Sequence, residues 1–296
     1  MKVKVIAMTA VVILIIAAVI YLSTQSLLKK EQDVSLVSIL PKIELQPMFY
    51  EKNNFFSAIE KSKDIKPEKN IQAIVVPHHL LVSEYIAGLM KRASGRSIDT
   101  VVIIGPNHEN VGQEILATTL AEWQTPAGGV STDNQLVNSF LSDLREQSNY
   151  YAFIHEHSIG AIVPFVKYFF PQAKIMPVII NSYANVQDAE RLATWLDKNL
   201  PDNSLVIAST DFSHYLDKDT ASKNDLQTRQ WITERDTQSI AHLNNDYVDS
   251  PISLATILLL AEKRGLKTQE VYHGNSFDFS LKKPAETTSY FGLAFY

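Results

Sequence analysis

Short apolar runs alternate with amphipathic segments along most of the chain, and this pattern predicts strands and helices in turn. The apolar runs are brief and rich in β-branched residues, as buried parallel strands are. Predicted strands cover residues 71–76, 100–104, 174–180, 204–208, 268–272 and 288–295. Predicted helices cover residues 83–92, 133–144, 158–169, 186–200, 224–243 and 253–264. We therefore expect an α/β fold with a mostly parallel or mixed sheet and helices on both faces.

The N-terminus has a different pattern. Residues 5–23 carry no charge and are almost wholly apolar, with lysines on both flanks. Their number approaches the ~20 residues that cross a bilayer, and it exceeds the ~7–15 apolar residues of a secretory signal. The sequence predicts a transmembrane anchor over 5–23, with a signal sequence as the alternative. A short flank (1–4) precedes it and a polar tether (24–45) follows it.

Composition and charge narrow the classes of function. The chain has 296 residues, of which 46% are hydrophobic, and its formal net charge is −5. Basic residues form no long runs, so we expect no nucleic-acid partner. No linker divides residues 46–296, which are predicted to form one domain. With the anchor, this predicts a single-pass membrane protein whose domain is extracytoplasmic.

The absence of cysteine excludes several kinds of site. Without any cysteine, disulfides, thiolate nucleophiles and cysteine-bound metals are impossible. No Walker A motif, Gly-x-Gly-x-x-Gly motif or Gly-x-Ser-x-Gly elbow occurs either. Nucleotide-dependent chemistry and hydrolysis by a serine elbow are therefore not indicated.

Histidines follow two of the predicted strands. His78 comes directly after residues 71–76 and Pro77, and His108 follows residues 100–104 within Gly105-Pro106-Asn107-His108. Ligands of open α/β sheets bind beyond the carboxyl ends of the strands, and imidazole is the commonest protein ligand of first-row metals. We therefore expect His78 and His108 to be metal ligands or catalytic residues. The alternative is that each caps a helix or hydrogen-bonds a loop.

Two further segments bring polar groups toward the same edge. Asp211 and His214 follow the strand at 204–208, and both would face one side if that turn is helical. A carboxylate beside an imidazole can orient it or act as a general base. His157 precedes Ser158, a candidate N-cap, at the start of the helix at 158–169. We place Asp211, His214 and His157 among the candidate catalytic residues, with helix capping as the alternative.

The ordered set of motifs resembles the Memo family, which includes AmmeMemoRadiSam system protein B. The similarity runs from about Pro47 to Tyr296. The matching pieces are Pro47-Met48-Phe49-Tyr50 (FYP), Pro77-His78 (PHAGY), Gly105-Pro106-Asn107-His108 (GPSH), Thr125-Pro126-Ala127-Gly128 (TPLG), Glu156-His157-Ser158-Ile159 (EHSIE) and Ser209-Thr210-Asp211-Phe212-Ser213-His214-Tyr215 (SSDFSHY). Each is short, but six in order are specific.

This resemblance implies a fold like that of class III extradiol dioxygenases, which bind non-haem iron. It implies that His78 and His108 match the two histidine ligands, and that Asp211 and His214 match the neighbouring aspartate and histidine. Redox chemistry with iron or copper is associated with the family. Partner proteins of the AmmeMemoRadiSam type are also implied.

The chain departs from the family pattern at the third ligand. The resemblance implies a cysteine as the third ligand, within a Cys-Gly-x-x-Pro-Ile segment, and an ungapped match to Pro251-Ile252 places Tyr247 at the position of that cysteine. Asp249, or less readily Asp246, would restore a set of two histidines and one carboxylate. Gly160 replaces the second glutamate of EHSIE, and Leu80-Leu81 replace the Gly-Tyr of PHAGY.

The sequence leaves three functions open. The first is a metal-dependent oxidoreductase of dioxygenase type that acts on a small molecule, with Fe(II) or Cu bound by His78, His108 and Asp249. The second is a non-catalytic ligand- or partner-binding module that keeps the fold with an altered site. The third is a metal-assisted hydrolase, in which a metal-bound water is the nucleophile.

Overall fold

In the computed structural model, which describes residues 18–25 and 43–296, eleven strands lie within residues 44–296. They are β1 Glu44–Leu45, β2 Ala73–Val76, β3 Thr100–Pro106, β4 Leu116–Thr118, β5 Glu122–Thr125, β6 Gly128–Val130, β7 Lys174–Ile180, β8 Ser204–Ser209, β9 Phe212–Leu216, β10 Thr268–Asn275 and β11 Thr287–Phe295. Residues 44–296 form one compact unit.

Ten α-helices lie in the same unit. They are α1 Lys52–Lys61, α2 Ser83–Ala93, α3 Asn134–Leu144, α4 His157–Gly160, α5 Val163–Phe169, α6 Val186–Asn199, α7 Lys218–Glu234, α8 Thr237–Ala241, α9 Pro251–Lys263 and α10 Ser276–Phe279. Two short 3-10 turns occur at Leu80–Val82 and Tyr151–Phe153.

The main sheet is mixed. Its order is β10-β11-β2-β8-β3-β7-β4, and β9 pairs with β11 off this path. The four central strands β2, β8, β3 and β7 are parallel, whereas β11, β10 and β4 run antiparallel to their neighbours. A smaller sheet contains β1, β5 and β6. The predicted α/β class, with a mixed sheet, fits this arrangement.

Helices cover both faces of the central strands, as the sequence predicts. In β2, Ala73 and Val75 join one buried cluster, with side chains of α3, α6 and α9. The alternate residues Ile74 and Val76 join the other, with side chains of α1, α2 and α5. Successive side chains of a strand point to opposite faces of the sheet. Since helices cover both faces of β2, both sets of side chains are buried and apolar. This explains the continuous apolar runs of the sequence.

Two predicted helices are each divided. The segment predicted at 158–169 forms α4 and α5, with Pro164 in the first turn of α5, where its missing N–H costs nothing. The segment predicted at 224–243 begins earlier, after the N-cap Asp217, and α7 ends where Arg235 takes a left-handed φ of 56°. The segment after Asp211 is the strand β9 and not a helical turn.

The predicted transmembrane helix is wrong for the residues that the structure describes. Among residues 18–25 and 43–296, no helix is both long enough and apolar enough to cross a membrane. Residues 18–25 are helical, whereas residues 5–17 of the predicted anchor and 26–42 of the predicted tether lie outside the described residues. The single-pass membrane localisation, the extracytoplasmic placement and the membrane contact depended on that helix, so they are withdrawn with it.

Candidate metal centre

The central strands deliver polar side chains to one edge of the sheet. The registers Val76↔Ser209 and Ile104↔Ala208 align the carboxyl ends of β2, β8 and β3. The chain continues from these ends into His78, Asp211 and His108, as the sequence pattern predicts. Asp249 joins them from the loop before α9, where its backbone N–H donates to the carbonyl of Asp211 at 3.1 Å.

Two imidazoles and one carboxylate converge at this edge. Oδ2 of Asp249 lies 3.1 Å from Nε2 of His78 and 3.8 Å from Nε2 of His108. This oxygen is buried, and no hydrogen bond of normal geometry satisfies it within the described residues. A buried carboxylate oxygen without a hydrogen bond is costly unless a cation faces it. The donor set therefore fits a metal ion.

The other oxygen of Asp249 is held by protein donors. Oδ1 accepts hydrogen bonds from the Thr210 hydroxyl and from the backbone N–H of Asp211. These two donors fix the carboxylate so that only Oδ2 faces the imidazoles. Such orienting contacts are typical of metal-ligating carboxylates.

His78 is held with its Nε2 toward Asp249. The Ser209 hydroxyl donates to the carbonyl of Ser158 at 2.6 Å, so only its lone pairs face Nδ1 of His78, which lies 3.3 Å away. Nδ1 must therefore carry the proton that bonds Ser209. In the neutral imidazole this leaves the lone pair on Nε2, where a metal would bind.

Glu156 orients the His108 ring so that its Nε2, like that of His78, is directed toward Asp249. Nδ1 of His108 donates to Oε1 of Glu156 at 2.7 Å, and its backbone N–H donates to Oε2 at 2.8 Å. The same carboxylate accepts from the backbone N–H of Ser158 as the N-cap of α4. Glu156 thus fixes the ring of His108 and again leaves Nε2 free for the centre.

The charges of the centre are strongly coupled. Burial lowers the pKa of His108, but Asp249 and Glu156 outweigh it and raise the pKa to about 10. Burial opposes the charged form of His78 too, and the carboxylates of Asp211 and Asp249 raise its pKa above the ordinary value. Burial alone would raise the pKa of Asp249, yet the two imidazoles hold it well below its usual range. In the metal-free protein, protons on the imidazoles balance the carboxylate.

His157 packs beside both ligand candidates. Its ring stacks on that of His108 with centroids 3.9 Å apart, and it meets His78 edge-on at 5.1 Å. Burial and the charges of His78 and His108 lower its pKa to about 4. His157 is therefore neutral at physiological pH. One ligand atom from each of the three histidines lies within 4.8 Å of the others, so His157 is a further candidate ligand.

Asp211 and His214 also lie at the site. Oδ1 of Asp211 accepts from the backbone N–H of His78 at 3.1 Å, and its Oδ2 lies 3.6 Å from Nε2 of His78. His78, Asp211 and Asp249 form a second group of possible ligands. His214 lies on β9, and its Nδ1 is buried without a hydrogen-bond partner in the described part of the chain. All six candidate site residues, Asp249 included, thus line one cavity.

A cavity of about 650 Å³ opens onto this centre. His78 and Asp211 in its wall are buried, whereas its exposed lining residues are the apolar Phe49, Leu81 and Tyr215 and the polar His79, His108 and Asn245. The lining residues include Phe49, His78, His79, Leu80, Leu81, His108, His157, Asp211, His214, Tyr215 and Asp249. This volume lies within the range of small-molecule sites.

Two of the alternatives for the third ligand point elsewhere. The ring of Tyr247 packs against Trp231 with centroids 5.6 Å apart. Asp246 is exposed and lies near Asn244. The structure therefore brings Asp249 to the two histidines, and neither of the others.

Sequence reasoning missed the residues that orient the imidazoles. The sequence indicates Glu156 and Ser209 only as members of two family motifs. Glu156 lies directly before the candidate His157, and Ser209 ends the strand β8. These two positions were the signals that the sequence offered. Their partners lie far away in sequence, so only the fold reveals the contacts.

Comparison with known proteins settles the family. A family profile described as Memo-like protein matches residues 48–285. The chain belongs to the Memo family. The resemblance in the sequence motifs is confirmed.

Two relatives of this Memo protein are similar to it over most of its length. A MEMO1 family protein of Pyrobaculum aerophilum is 30% identical over 205 residues, which cover 67% of this chain and 73% of the relative. A MEMO1 family protein of Caldivirga maquilingensis is 28% identical over 239 residues, covering 76% of this chain and 83% of the relative. An uncharacterized protein of Escherichia coli K12 has a similar solved structure, with 10% identity and a TM-score of 0.47, covering 75% of this chain and 99% of that chain. That likeness is too low to define the fold.

Proposed function

We propose that this Memo protein is a metal-dependent oxidoreductase that binds Fe(II) through His78, His108 and Asp249. The observation that carries the proposal is the buried Oδ2 of Asp249, which faces Nε2 of both histidines without a hydrogen bond of its own. Two imidazoles and one carboxylate are the donor set of non-haem iron oxygenases.

The ligand chemistry favours Fe(II) over Cu(I). Soft thiolate and thioether ligands select Cu(I), and the chain has no cysteine. A carboxylate in the third position is a harder ligand and suits iron better. Copper therefore becomes an alternative outcome of the metal test.

The chain's own residues would hold the reacting groups in place. A bound Fe(II) would supply one-electron redox chemistry and open positions for a substrate atom. Glu156 and Ser209 orient the two imidazoles, and the Thr210 hydroxyl orients Asp249. A fixed donor set of this kind avoids reorganisation when a substrate binds.

Three other side chains are placed to handle protons. His157 is neutral at physiological pH and lines the cavity, so it can accept a proton from a bound small molecule. His214 presents an imidazole whose Nδ1 has no hydrogen-bond partner within the described residues, and Asp211 lines the same cavity with its Oδ2 3.6 Å from Nε2 of His78. We assign these residues to proton transfer and ligand orientation.

Metal analysis of the full chain tests the proposal. The protein is purified without a metal-chelating tag, analysed for co-purified metals, and titrated with Fe(II) under anaerobic conditions. We expect one Fe(II) per chain, and its oxidation on exposure to dioxygen, followed by electron paramagnetic resonance. His78→Ala, His108→Ala and Asp249→Ala should reduce binding below detection. His242→Ala and Asp246→Ala, exposed residues of the same types, are the matched controls.

The other functions correspond to distinct results. If the protein binds no first-row metal, the proposal is wrong and the non-catalytic binding module is favoured. Binding of zinc alone, with no redox response, favours metal-assisted hydrolysis. Copper bound in preference to iron would retain redox chemistry but overturn the metal assignment.

A further inference from the structure

The mouth of the main cavity carries three large apolar side chains exposed to solvent. Phe49 is 66% exposed, Tyr215 70% and Leu81 41%, and all three line the cavity. They belong to three separate segments: the chain before α1, the strand β9 and the turn before α2. Apolar side chains that gather at one opening are typical of ligand-binding grooves.

The backbone of both aromatic residues is held in an unfavourable conformation. Phe49 has a φ of 55° and Tyr215 a φ of 58°, in the left-handed region. Arg145 and Arg235 share this conformation because each ends a helix, where it is common. Phe49 and Tyr215 end no helix. For bulky residues such backbone is a genuine outlier, and strain of this kind clusters at functional sites.

Specific contacts hold Phe49 against His157. The backbone N–H of Met48 donates to the carbonyl of Gly160 at 3.2 Å. A Cβ at Gly160 would lie 2.8 Å from Cγ of Met48, so only glycine allows this approach. The Phe49 ring then meets the His157 ring edge-on at 5.3 Å. The His157 ring stacks in turn on the ring of His108, with centroids 3.9 Å apart.

Tyr215 lies on a different segment of the chain, the strand β9. The neighbouring residue His214 donates its backbone N–H to the carbonyl of Asn245 at 2.8 Å. The pairing of β9 with β11 shifts register around Thr288, which also lines the cavity. The irregular strand therefore turns the Tyr215 side chain out beside the mouth, next to the His214 ring at 5.6 Å.

We infer that the cavity mouth binds the flat apolar body of a small ligand whose polar head reaches the metal centre, with Phe49 and Tyr215 determining specificity. The inference rests on the proposed function, because the head would bind at His78, His108 and Asp249. The volume of about 650 Å³ accommodates a small molecule. The three apolar side chains at the mouth and the charged groups of the centre favour a ligand with an apolar body and a polar head.

Two hydroxamates that share one metal-binding head test this inference. Acetohydroxamate carries a methyl group, whereas benzohydroxamate carries a flat aromatic ring. The full chain is first loaded with Zn(II), which undergoes no redox reaction, and each probe is then titrated by calorimetry. We expect benzohydroxamate to bind about tenfold more tightly, from the apolar area that the ring buries.

The variants decide whether the mouth causes this preference. Phe49→Ala and Tyr215→Ala should each reduce the preference at least threefold, whereas Phe49→Tyr and Tyr215→Phe should keep it. Phe56→Ala and Tyr151→Ala, exposed aromatic residues outside the cavity, are the controls. A thermal melt of each variant confirms folding.

Each other outcome overturns the inference in a recognisable way. Equal affinity for the two probes, or a preference that both alanine variants keep, shows that the mouth does not select the ligand. Zinc binding without hydroxamate binding shows that the cavity does not admit such a ligand. Failure to bind any metal removes the proposed function itself, and the inference with it.

Discussion

Oδ2 of Asp249 lies 3.1 Å from Nε2 of His78. By the resemblance, the family cysteine lies four residues before a Pro-Ile pair, which in this chain is Pro251-Ile252, so that Tyr247 takes its position. Asp249 precedes the pair by two residues and places a carboxylate where it can act as the third ligand. Under the proposed function, the altered segment keeps three ligands and replaces a thiolate with a carboxylate.

Asp249→Cys should keep a metal site and change its preference. A thiolate is softer than a carboxylate, so affinity for Cu(I) and Zn(II) should rise relative to that for Fe(II) by about tenfold or more. Competitive metal titrations of the wild type and the variant would measure this ratio. Ser250→Cys, at the neighbouring buried residue, is the control for adding a thiol near the site. An unchanged ratio would show that residue 249 does not contact the metal.

Glu156→Gln should weaken metal binding without removing a ligand. A neutral amide accepts a weaker hydrogen bond from Nδ1–H of His108 than the carboxylate does. The imidazole therefore becomes less basic at Nε2, and its orientation is less well fixed. Loss of such an orienting partner typically costs about 10–100-fold in metal affinity. Calorimetric titration would measure it, with Glu109→Gln as the matched exposed control. Equal affinities would mean that Glu156 serves only as the N-cap of α4.

Metal binding at pH 7 should release protons. The pKa of His108 is about 10 in the metal-free protein, above the ordinary value of 6.5, so its imidazole is protonated at pH 7 and must lose a proton to bind a metal. The enthalpy of metal binding should therefore vary with the ionisation enthalpy of the buffer. The dependence should diminish as the pH is raised through about 10. An enthalpy independent of the buffer at pH 7 would contradict the charged His108.

The same shift predicts how the stability of the metal-free protein varies with pH. A folded-state pKa raised above the unfolded value stabilises the fold fully below pH 6.5, and this contribution is lost as the pH rises through about 10. Denaturant unfolding at a series of pH values should show the decline in the wild type. The variant His108→Gln should lack the part of this loss of stability that comes from the His108 imidazole. Parallel curves for the two proteins would rule out His108 as its source.

The central strands were predictable because their signals are local. β2, β3, β7 and β8 are short β-branched runs, and the predicted bounds of β7, 174–180, match the observed strand. Their parallel order also predicts which side chains meet, so His78, His108 and Asp211 could be expected at one edge. The family motifs carried the same information.

The rest depended on contacts that no local pattern encodes. Asp249 joins the site through backbone and side-chain bonds to Thr210 and Asp211, which are far away in sequence. The hydrogen bond between Glu156 and His108 likewise joins two loops. The apolar run at residues 5–23 shows that a strong local pattern can also mislead. Its hydropathy alone predicted a transmembrane helix, and the described residues contain no such helix.

Gly160→Ala should destabilise the fold and disturb the cavity mouth. The new Cβ would lie 2.8 Å from Cγ of Met48 and 3.0 Å from its backbone nitrogen, so the segment that carries Phe49 must move. Crowding of this kind costs about 1–3 kcal/mol in unfolding free energy, measurable by denaturant unfolding. Gly129→Ala is the control, because its nearest contact would be an ordinary 3.7 Å to the Gln124 side chain. If Gly160→Ala kept full stability and the wild-type preference for benzohydroxamate, the close approach of Met48 would not be what positions Phe49.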